Sequence, residues 1–392
     1  MIWLISPPKG TKRPDNNSAP VGLCYIQAYL DSKGIKSKIF DLEGSLVEKF
    51  MEEFMQYKPE IVGITCFTDN RTFVFSLVKK LKEINSKTII VLGGHHADAM
   101  ADQILKNFPV DYIVKGEGEI AFYDIVKNKP KEKIIVGKPV SNLDELPFPS
   151  YRDLNMHQYK WEGKPSYDLV TSRGCPFSCT YCSSSEFWGH KWRFRSPKNV
   201  VDEIESVVKK GITHFRIVDD NFTMDKNRAI EICKEILKRK LKIEFWIQSR
   251  VSSVDYELAL WLKNAGCYLI AFGIESGSNE ILKNINKMYS LKQIYSACNA
   301  CKGAGIKINA YFMVGNKGET WKTINESAKV IRNIRPDTIG VSIMQIYPGT
   351  AVNDLPDEYW LTDKRPPNSK EASLLTLRLW QIYLHLINKV SL

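Results

Sequence analysis

Residues 173–182 read Arg-Gly-Cys-Pro-Phe-Ser-Cys-Thr-Tyr-Cys, the most informative stretch of the chain. It places Cys175, Cys179 and Cys182 within eight residues, and no fourth cysteine lies nearby. A structural zinc site requires four protein ligands, and nothing in the spacing recommends His190 as the fourth. Three thiolates can instead hold a 4Fe–4S cluster that leaves one iron open to another ligand. The stretch therefore predicts an iron–sulfur cluster with a coordination position available for chemistry.

The composition is that of a folded protein of two or three domains, with 392 residues, 44% hydrophobic and 25% charged side chains. No apolar run approaches the length of about 18 residues that a transmembrane helix needs, and the N-terminus lacks the charged leader of a signal peptide. Nine cysteines without an export signal predict reduced thiols in a cytoplasm. Because an exposed cluster requires low oxygen, we expect an anaerobic, cytoplasmic protein.

The net charge of +11 raises the question of nucleic-acid binding. The lysines are spread along the predicted helices and form no long basic run, which favours a solvated surface. A basic surface can still attract an acidic substrate or partner. Binding of nucleic acid is therefore not predicted.

The first part of the chain alternates short apolar runs with amphipathic segments. This alternation is typical of a parallel sheet covered by helices on both faces. We predict a five-stranded, doubly wound, Rossmann-like domain over residues 1–128 and an extended, proline-rich linker over 129–164. The predicted strands span residues 2–5, 38–40, 61–66, 88–92 and 112–114.

Distinctive motifs follow four of these strands, at the edge where doubly wound sheets bind their ligands. Glycines at such an edge let a large ligand approach the backbone closely. No Gly-x-Gly-x-x-Gly and no Walker-type loop is present, which counts against dinucleotides and nucleoside triphosphates. The candidate ligand residues are Pro7, Pro8, Thr65, Asn70, Gly93, Gly94, His95, Gly116, Glu117, Gly118 and Glu119.

A second series of strands and helices begins just before the cysteines. Six strands with five intervening helices are too few for a full eight-fold barrel, and they predict a partial (β/α)6 barrel over residues 165–350 with its active site at the carboxyl ends of the strands. A helical tail over 351–392 is expected to dock through Leu375, Leu379, Ile382 and Leu386. The predicted strands span residues 167–171, 214–218, 244–248, 268–272, 307–313 and 338–343.

The pattern Cys-x-x-x-Cys-x-x-Cys, with Tyr181 before the last cysteine, resembles the signature of the radical S-adenosylmethionine enzymes. In that family the three cysteines bind three irons of a 4Fe–4S cluster. The amino and carboxylate groups of S-adenosylmethionine chelate the fourth iron. An electron from the cluster then cleaves the sulfonium and releases a 5′-deoxyadenosyl radical, which abstracts hydrogen from the substrate.

The resemblance implies that polar residues at the strand ends contact S-adenosylmethionine. Arg250 is expected to bind its carboxylate, and Gln248 and Glu275 its ribose or amino groups. The motif from Gly315 to Glu319 departs from the commoner Gly-Leu-Pro-Gly-Glu-Thr form, which affects only the local loop. The full set of expected contacts is Tyr181, Asp219, Gln248, Arg250, Glu275 and Tyr347.

The first domain resembles the cobalamin-binding domain that precedes the barrel in many radical S-adenosylmethionine enzymes. The matching motifs are Pro7-Pro8, Gly93-Gly-His95, Gly116-Glu-Gly-Glu119 and the segment 188–195. The loop after the first strand has no Asp-x-His-x-x-Gly. The resemblance therefore implies base-off cobalamin without a histidine ligand to the cobalt.

Together the two resemblances imply a cobalamin-dependent radical S-adenosylmethionine methyltransferase that acts on an unactivated carbon. A reductant such as flavodoxin or ferredoxin would supply the electron. Two alternatives stay open: a radical enzyme of the same build that performs cyclisation, dehydration or rearrangement, and an electron-transfer iron–sulfur protein. No feature separates a peptide, a lipid or a small metabolite as substrate, and no catalytic side chain is assigned.

Overall fold

The computed structural model describes residues 1–8, 16–43, 46–364 and 367–391. Its contacts divide the chain into two compact units. The first comprises Met1–Pro165, Tyr347–Gly349 and Asn353–Pro366, and the second comprises Ser166–Ile346, Thr350–Val352 and Pro367–Leu392.

This division differs from the expected domains in two places. The residues expected as a linker, 129–164, belong to the first unit, where residues 134–137 form a strand. The residues expected as a separate tail, 351–392, divide between the two units. The two units meet in the chain between Pro165 and Ser166.

The first unit is built on a six-stranded parallel sheet with strand order β2-β1-β3-β4-β5-β6. It has one strand more than predicted, because β6 pairs with β5 from Ile113↔Ile134 to Gly116↔Gly137. The strands are β1 (Ile2–Ser6), β2 (Ser37–Asp41), β3 (Ile61–Thr65), β4 (Ile89–Gly93), β5 (Tyr112–Gly116) and β6 (Ile134–Gly137). The helices are α1 (Val21–Ser32), α2 (Leu46–Tyr57), α3 (Arg71–Ile84), α4 (His95–Ala99), α5 (Ala101–Asn107) and α6 (Gly118–Asn128).

Strand β1 is buried along its whole length, as a central strand covered on both faces must be. Trp3 on this strand packs against the rings of Phe40, Phe50 and Phe54. These aromatic contacts fix α2 against the sheet. The glycine-containing loops follow the carboxyl ends of the strands.

The second unit is an open sheet of parallel strands in the order β8-β11-β12-β13-β14-β15. Within the described residues no ladder joins β15 to β8, so the barrel is partial, as predicted. In this unit β9 also pairs antiparallel with β10. Residues 160–161, which belong to the first unit, form β7 and pair antiparallel with Lys164 and Pro165. The strands are β7 (Lys160–Trp161), β8 (Lys164–Leu169), β9 (Ser172–Arg173), β10 (Arg193–Phe194), β11 (His214–Ile217), β12 (Glu244–Ser249), β13 (Cys267–Glu275), β14 (Lys307–Val314) and β15 (Thr338–Ile343).

Side-chain caps define where several barrel helices begin. The carboxylate of Asp225 accepts the Arg228 N–H at the start of α9, and that of Asp255 accepts the Leu258 N–H at the start of α10. Ser290 starts α12 with a capping box. The helices are α7 (Ser184–Trp188), α8 (Pro197–Val208), α9 (Lys226–Lys238), α10 (Tyr256–Asn264), α11 (Asn279–Asn284), α12 (Leu291–Gly303), α13 (Trp321–Ile334) and α14 (Leu374–Ser391).

Helix α14 forms as predicted but docks through a different face. It packs on α13 and β15 through Leu377, Trp380 and Leu384, each at most 3% exposed. The predicted docking face was wrong, because the residues expected to form it are exposed: Leu375, Leu379, Ile382 and Leu386. None of the helices within the described ranges has the length and apolarity required to cross a membrane.

Candidate active site

The three cysteines lie in a loop that leaves β9 at the carboxyl-end edge of the barrel sheet. Gly174 opens the loop with φ +88, and a Cβ there would lie 2.0 Å from the Lys191 carbonyl oxygen. Only glycine therefore fits at this position. The loop then turns tightly, since the Cys182 N–H donates to the Cys179 carbonyl at 3.1 Å.

Each thiol accepts or faces an N–H donor. Cys175 accepts from the backbone of Phe177, and Cys182 accepts from the backbone of Ser184. The Arg250 Nη1 atom lies 3.6 Å from the Cys179 sulfur. Hydrogen bonds to the ligating sulfurs are a feature of iron–sulfur sites and tune their potential.

Burial raises the pKa of the Cys175 and Cys182 thiols, and the proximity of Asp220 and Cys179 adds to both shifts. Iron would offset that cost, because binding replaces the thiol proton. Within the described ranges no three His, Cys, Asp or Glu side chains are grouped to hold one metal ion. A cluster brings its own irons and sulfides, so its thiolates need not meet at a single ion. Three thiols with N–H donors at their sulfurs fit a 4Fe–4S cluster.

Asp219 holds the base of the cysteine loop. It is 2% exposed, and its carboxylate accepts the Thr171 N–H at 2.7 Å, the Thr171 hydroxyl at 2.5 Å and the Ser172 hydroxyl at 2.6 Å. Asp219 was expected to contact S-adenosylmethionine, but its side chain points toward the backbone that precedes the cysteines.

The next residue, Asp220, faces the cysteines instead and was not singled out from the sequence. Its carboxylate accepts the Ser184 hydroxyl at 2.5 Å and the backbone N–H of Gly174. Part of the residue is open to solvent, yet protein surrounds the carboxylate, and this desolvation raises its pKa. Its charge also acts on Cys175 and Cys182. Two adjacent aspartates after β11 were the available signal, but strand alternation alone did not say which one faces the loop.

Tyr181 and Glu275, both expected contacts, meet at the end of β13. The Tyr181 hydroxyl donates to Glu275 Oε1 at 2.9 Å, and Glu275 adopts a left-handed backbone with φ +64. Lys287 joins them, with Nζ 2.7 Å from the Tyr181 hydroxyl and 3.1 Å from Glu275 Oε1. Burial, followed by the Glu275 charge, raises the pKa of Tyr181 well above its ordinary value. Sequence reasoning missed Lys287, which follows a helix rather than a strand.

The remaining expected S-adenosylmethionine contacts are Arg250, Gln248 and Tyr347, which differ in burial and in the unit to which they belong. Arg250 follows β12 and is 7% exposed, with its planar guanidinium over the ring of Phe177. Gln248, on the same strand, is exposed. Tyr347 belongs to the first unit, where it hydrogen-bonds Asp69, and burial raises its pKa to about 12.

In the first unit the expected cobalamin residues of β3 and β4 lie at one sheet edge. Thr65 and Gly93 are register partners at the ends of these strands. Gly94 has φ +97, and a Cβ there would lie 3.0 Å from the Cys66 carbonyl oxygen. The Asn70 side chain closes its own loop by accepting the Phe67 N–H at 2.8 Å. Glycine is therefore favoured at position 94 by the positive φ and by the proximity of the Cys66 backbone.

The β5 motif sits beside this edge. Asp98 in α4 accepts the Gly116 N–H at 2.7 Å, and Gly116 has φ +72. His95 stacks on Phe67 with ring centroids 6.0 Å apart, and burial lowers its pKa.

The two glutamates of the β5 motif are buried. Glu117 and Glu119 are 5% and 4% exposed, and Glu117 accepts the Val140 N–H at 3.2 Å. Gly118 packs against Ile26, where a Cβ would lie 2.8 Å from Cδ1. Pro7 is buried and Pro8 half-buried after β1, and the rest of that motif, residues 9–10, lies outside the described residues.

Comparison with known proteins identifies the class. The Radical SAM superfamily model matches residues 169–331, and the B12 binding domain model matches residues 12–126. An uncharacterized methyltransferase of Pyrococcus horikoshii, PH0819, is 32% identical over 376 residues, which cover 89% of this chain and 81% of that protein. The chain belongs to the radical S-adenosylmethionine superfamily, in the group whose barrel follows a B12-binding domain. The predicted class, a cobalamin-dependent radical S-adenosylmethionine methyltransferase, is thereby confirmed.

Two further matches extend this result. An anaerobic magnesium-protoporphyrin IX monomethyl ester cyclase of Rubrivivax gelatinosus is 31% identical over 352 residues, covering 82% of this chain and 63% of that protein. The solved structure of TsrM, a radical S-adenosylmethionine methyltransferase of Kitasatospora setae, matches with a TM-score of 0.74 at 19% identity, covering 89% of this chain and 74% of that chain. The TsrM similarity confirms the predicted fold of both parts of the chain.

Proposed function

We propose that this protein transfers a methyl group to an unactivated carbon of its substrate. The observation that carries the proposal is the cysteine loop, with an N–H donor at each sulfur, in a chain that also has a glycine-lined cobalamin-type sheet edge. When bound, the cluster with S-adenosylmethionine supplies the 5′-deoxyadenosyl radical and cobalamin supplies the methyl group. The chain's own residues bind and orient these groups.

In the barrel, Cys175, Cys179 and Cys182 would hold the cluster. Asp220, the carboxylate that faces the cysteines, would bind the amino group of S-adenosylmethionine in a charge-assisted hydrogen bond. Gln248 is exposed at the end of β12 and would hydrogen-bond a ribose hydroxyl. Asp219 would stabilise the start of the cysteine loop through its hydrogen bonds with Thr171 and Ser172.

In the first unit, cobalamin would lie on the backbone of Gly93, Gly94 and Gly116. We propose that the cobalt has no histidine ligand. His95 is stacked on Phe67, and the Nδ1 atom of His96 is 3.1 Å from the Thr68 hydroxyl. Burial lowers the pKa of His96 to about 3, which suits a core residue. A small electron-transfer protein in a cytoplasm would supply the electrons.

The test is an anaerobic reconstitution with iron, sulfide and cobalamin, followed by incubation with S-adenosylmethionine and dithionite. We expect a retained cobalamin spectrum and formation of 5′-deoxyadenosine, and Cys179→Ala should abolish the latter. A Cys179→Ala protein that still forms 5′-deoxyadenosine would overturn the cluster assignment. Retention of the cluster without cobalamin would instead favour rearrangement, dehydration or the ring closure that the name of the cyclase relative describes.

A further inference from the structure

The cysteine loop is held by a segment that neither the motif nor the strand ends would suggest, residues 285–287 after α11. The Thr180 N–H donates to the Ile285 carbonyl at 3.2 Å. The Asn286 side-chain amide donates to the Ser178 carbonyl at 2.7 Å. With Lys287 on the Tyr181 hydroxyl, three consecutive residues bind the loop at three points.

Asn286 in this segment and Met288, which directly follows the segment, adopt a left-handed backbone conformation. Asn286 has φ +55 and Met288 has φ +58, and neither is glycine. Such a conformation is unfavourable for a residue with a Cβ and persists where surrounding contacts over-determine it. Here the left-handed turn at Asn286 accompanies its side-chain contact with the loop, while Met288 is 74% exposed.

Arg250 connects this segment to the cysteine that lies deepest. Its guanidinium stacks on Phe177 at 3.7 Å from the ring centroid and donates to the Lys287 carbonyl and toward the Cys179 sulfur. Cys179 is 9% exposed, the least exposed of the three cysteines. Arg250 therefore touches both the loop and the segment that holds it.

We propose that residues 285–287 and Arg250 form a clamp that positions the cysteine loop for its cluster and sets the potential of that cluster. The inference rests on the proposed function, since it presupposes a cluster. Lys287 and Arg250 are 6% and 7% exposed, and Glu275 is the one carboxylate hydrogen-bonded to Lys287 among the described residues. The positive charges of Lys287 and Arg250 favour the reduced, more negative cluster, whereas the carboxylates of Glu275 and Asp220 oppose it.

Three variants separate the positioning role from the electrostatic role. Asn286→Gly permits the left-handed backbone and removes the amide donor, so the loop loses one attachment. Lys287→Met removes a charge at similar length, and Lys287→Arg retains the charge. Lys283→Met is the matched control, because Lys283 is exposed on the neighbouring helix α11.

The readouts are the rate at which the reconstituted holoprotein loses iron to a chelator and the midpoint potential of its cluster. We expect iron loss about tenfold faster in Asn286→Gly, the usual size of an outer-shell effect on metal affinity. Lys287→Met should shift the potential to more negative values, Lys287→Arg should restore it, and Lys283→Met should change neither readout.

The clamp is refuted if the wild-type protein holds a cluster while Asn286→Gly and Lys287→Met match Lys283→Met in both readouts. If the wild-type protein takes up no cluster, the proposed function fails and the clamp fails with it. Circular dichroism of each variant checks folding. Should Asn286→Gly unfold, the potentials of Lys287→Met and Lys287→Arg still decide the outcome.

Discussion

The carboxylate of Asp219 accepts both the backbone N–H and the hydroxyl of Thr171, at 2.7 and 2.5 Å. The adjacent Asp220 shares none of these contacts and faces Cys175 and Cys182. Two identical side chains, one residue apart, therefore have different tasks. One stabilises the start of the cysteine loop, and the other is available to a ligand of the barrel.

Replacing these aspartates should separate stability from ligand binding. Asp219→Asn should destabilise the fold by about 1–3 kcal/mol, because buried donors lose their charged acceptor. Asp220→Asn should leave the melting temperature nearly unchanged and weaken S-adenosylmethionine binding about tenfold, or 1.4 kcal/mol. Thermal melting and equilibrium dialysis on the reconstituted protein measure the two effects. Equal losses of stability in both variants would contradict the distinction.

A buried carboxyl at the end of β14 should make stability depend on pH. Glu319 is 7% exposed, accepts the backbone N–H groups of Gly315 and Asn316, and has its pKa raised by burial to about 7. The folded state therefore binds the Glu319 proton more tightly than the unfolded state, whose pKa is near 4.5. Its contribution is fully present below pH 4.5 and is lost as the pH rises through 7.

Urea unfolding of the wild-type protein and Glu319→Gln between pH 4.5 and 8 measures this effect. The difference in unfolding free energy should fall by about 3 kcal/mol across that range, at 1.36 kcal/mol per pKa unit. Glu280→Gln, on the exposed face of α11, is the control and should run parallel to the wild type. A difference that stays constant with pH would show that Glu319 does not titrate in this range.

The turn at Gly94 should decide whether the first unit retains cobalamin. Gly94→Ala forces a Cβ into φ +97 and to 3.0 Å from the Cys66 carbonyl oxygen, at a cost of about 1–3 kcal/mol. Because the same backbone would contact the ligand, the variant should also retain less cobalamin after gel filtration. Gly22→Ala, in open space on α1, should be stabilised by up to about 1 kcal/mol and retain wild-type cobalamin. If Gly94→Ala retained as much cobalamin as the wild-type protein, the loop at Gly94 would not be part of the cobalamin site.

The two faces of α14 should respond differently to truncation. Leu384→Ala removes a side chain that is 1% exposed and should cost about 2–5 kcal/mol. Leu386→Ala, at a position 54% exposed, should change stability by less than about 0.5 kcal/mol. Chemical unfolding of both variants measures the two losses of stability. A larger loss in Leu386→Ala than in Leu384→Ala would support the docking face that was predicted from the sequence.

Much of the fold was predictable because it depends on local patterns. Apolar strands alternate with amphipathic helices, and this alternation leads to parallel sheets with ligands at their carboxyl ends. The sixth strand, β6, was missed because it is short and follows Pro130 in a lysine-rich segment. The docking face of α14 was predicted wrongly because apolar residues occur at helical spacing on both of its faces, and only α13 and β15 select between them.

The sequence by itself determined the chemistry of the cluster loop, because ligand spacing is a local property: Cys175, Cys179 and Cys182 are fixed by eight consecutive residues. The tertiary structure alone decided which side chains surround that loop. Lys287 lies 106 residues from Tyr181 in sequence, and Arg250 lies 71 residues from Cys179. Contacts over such separations arise from the pairing of strands and the packing of the connections between them, which no local pattern encodes.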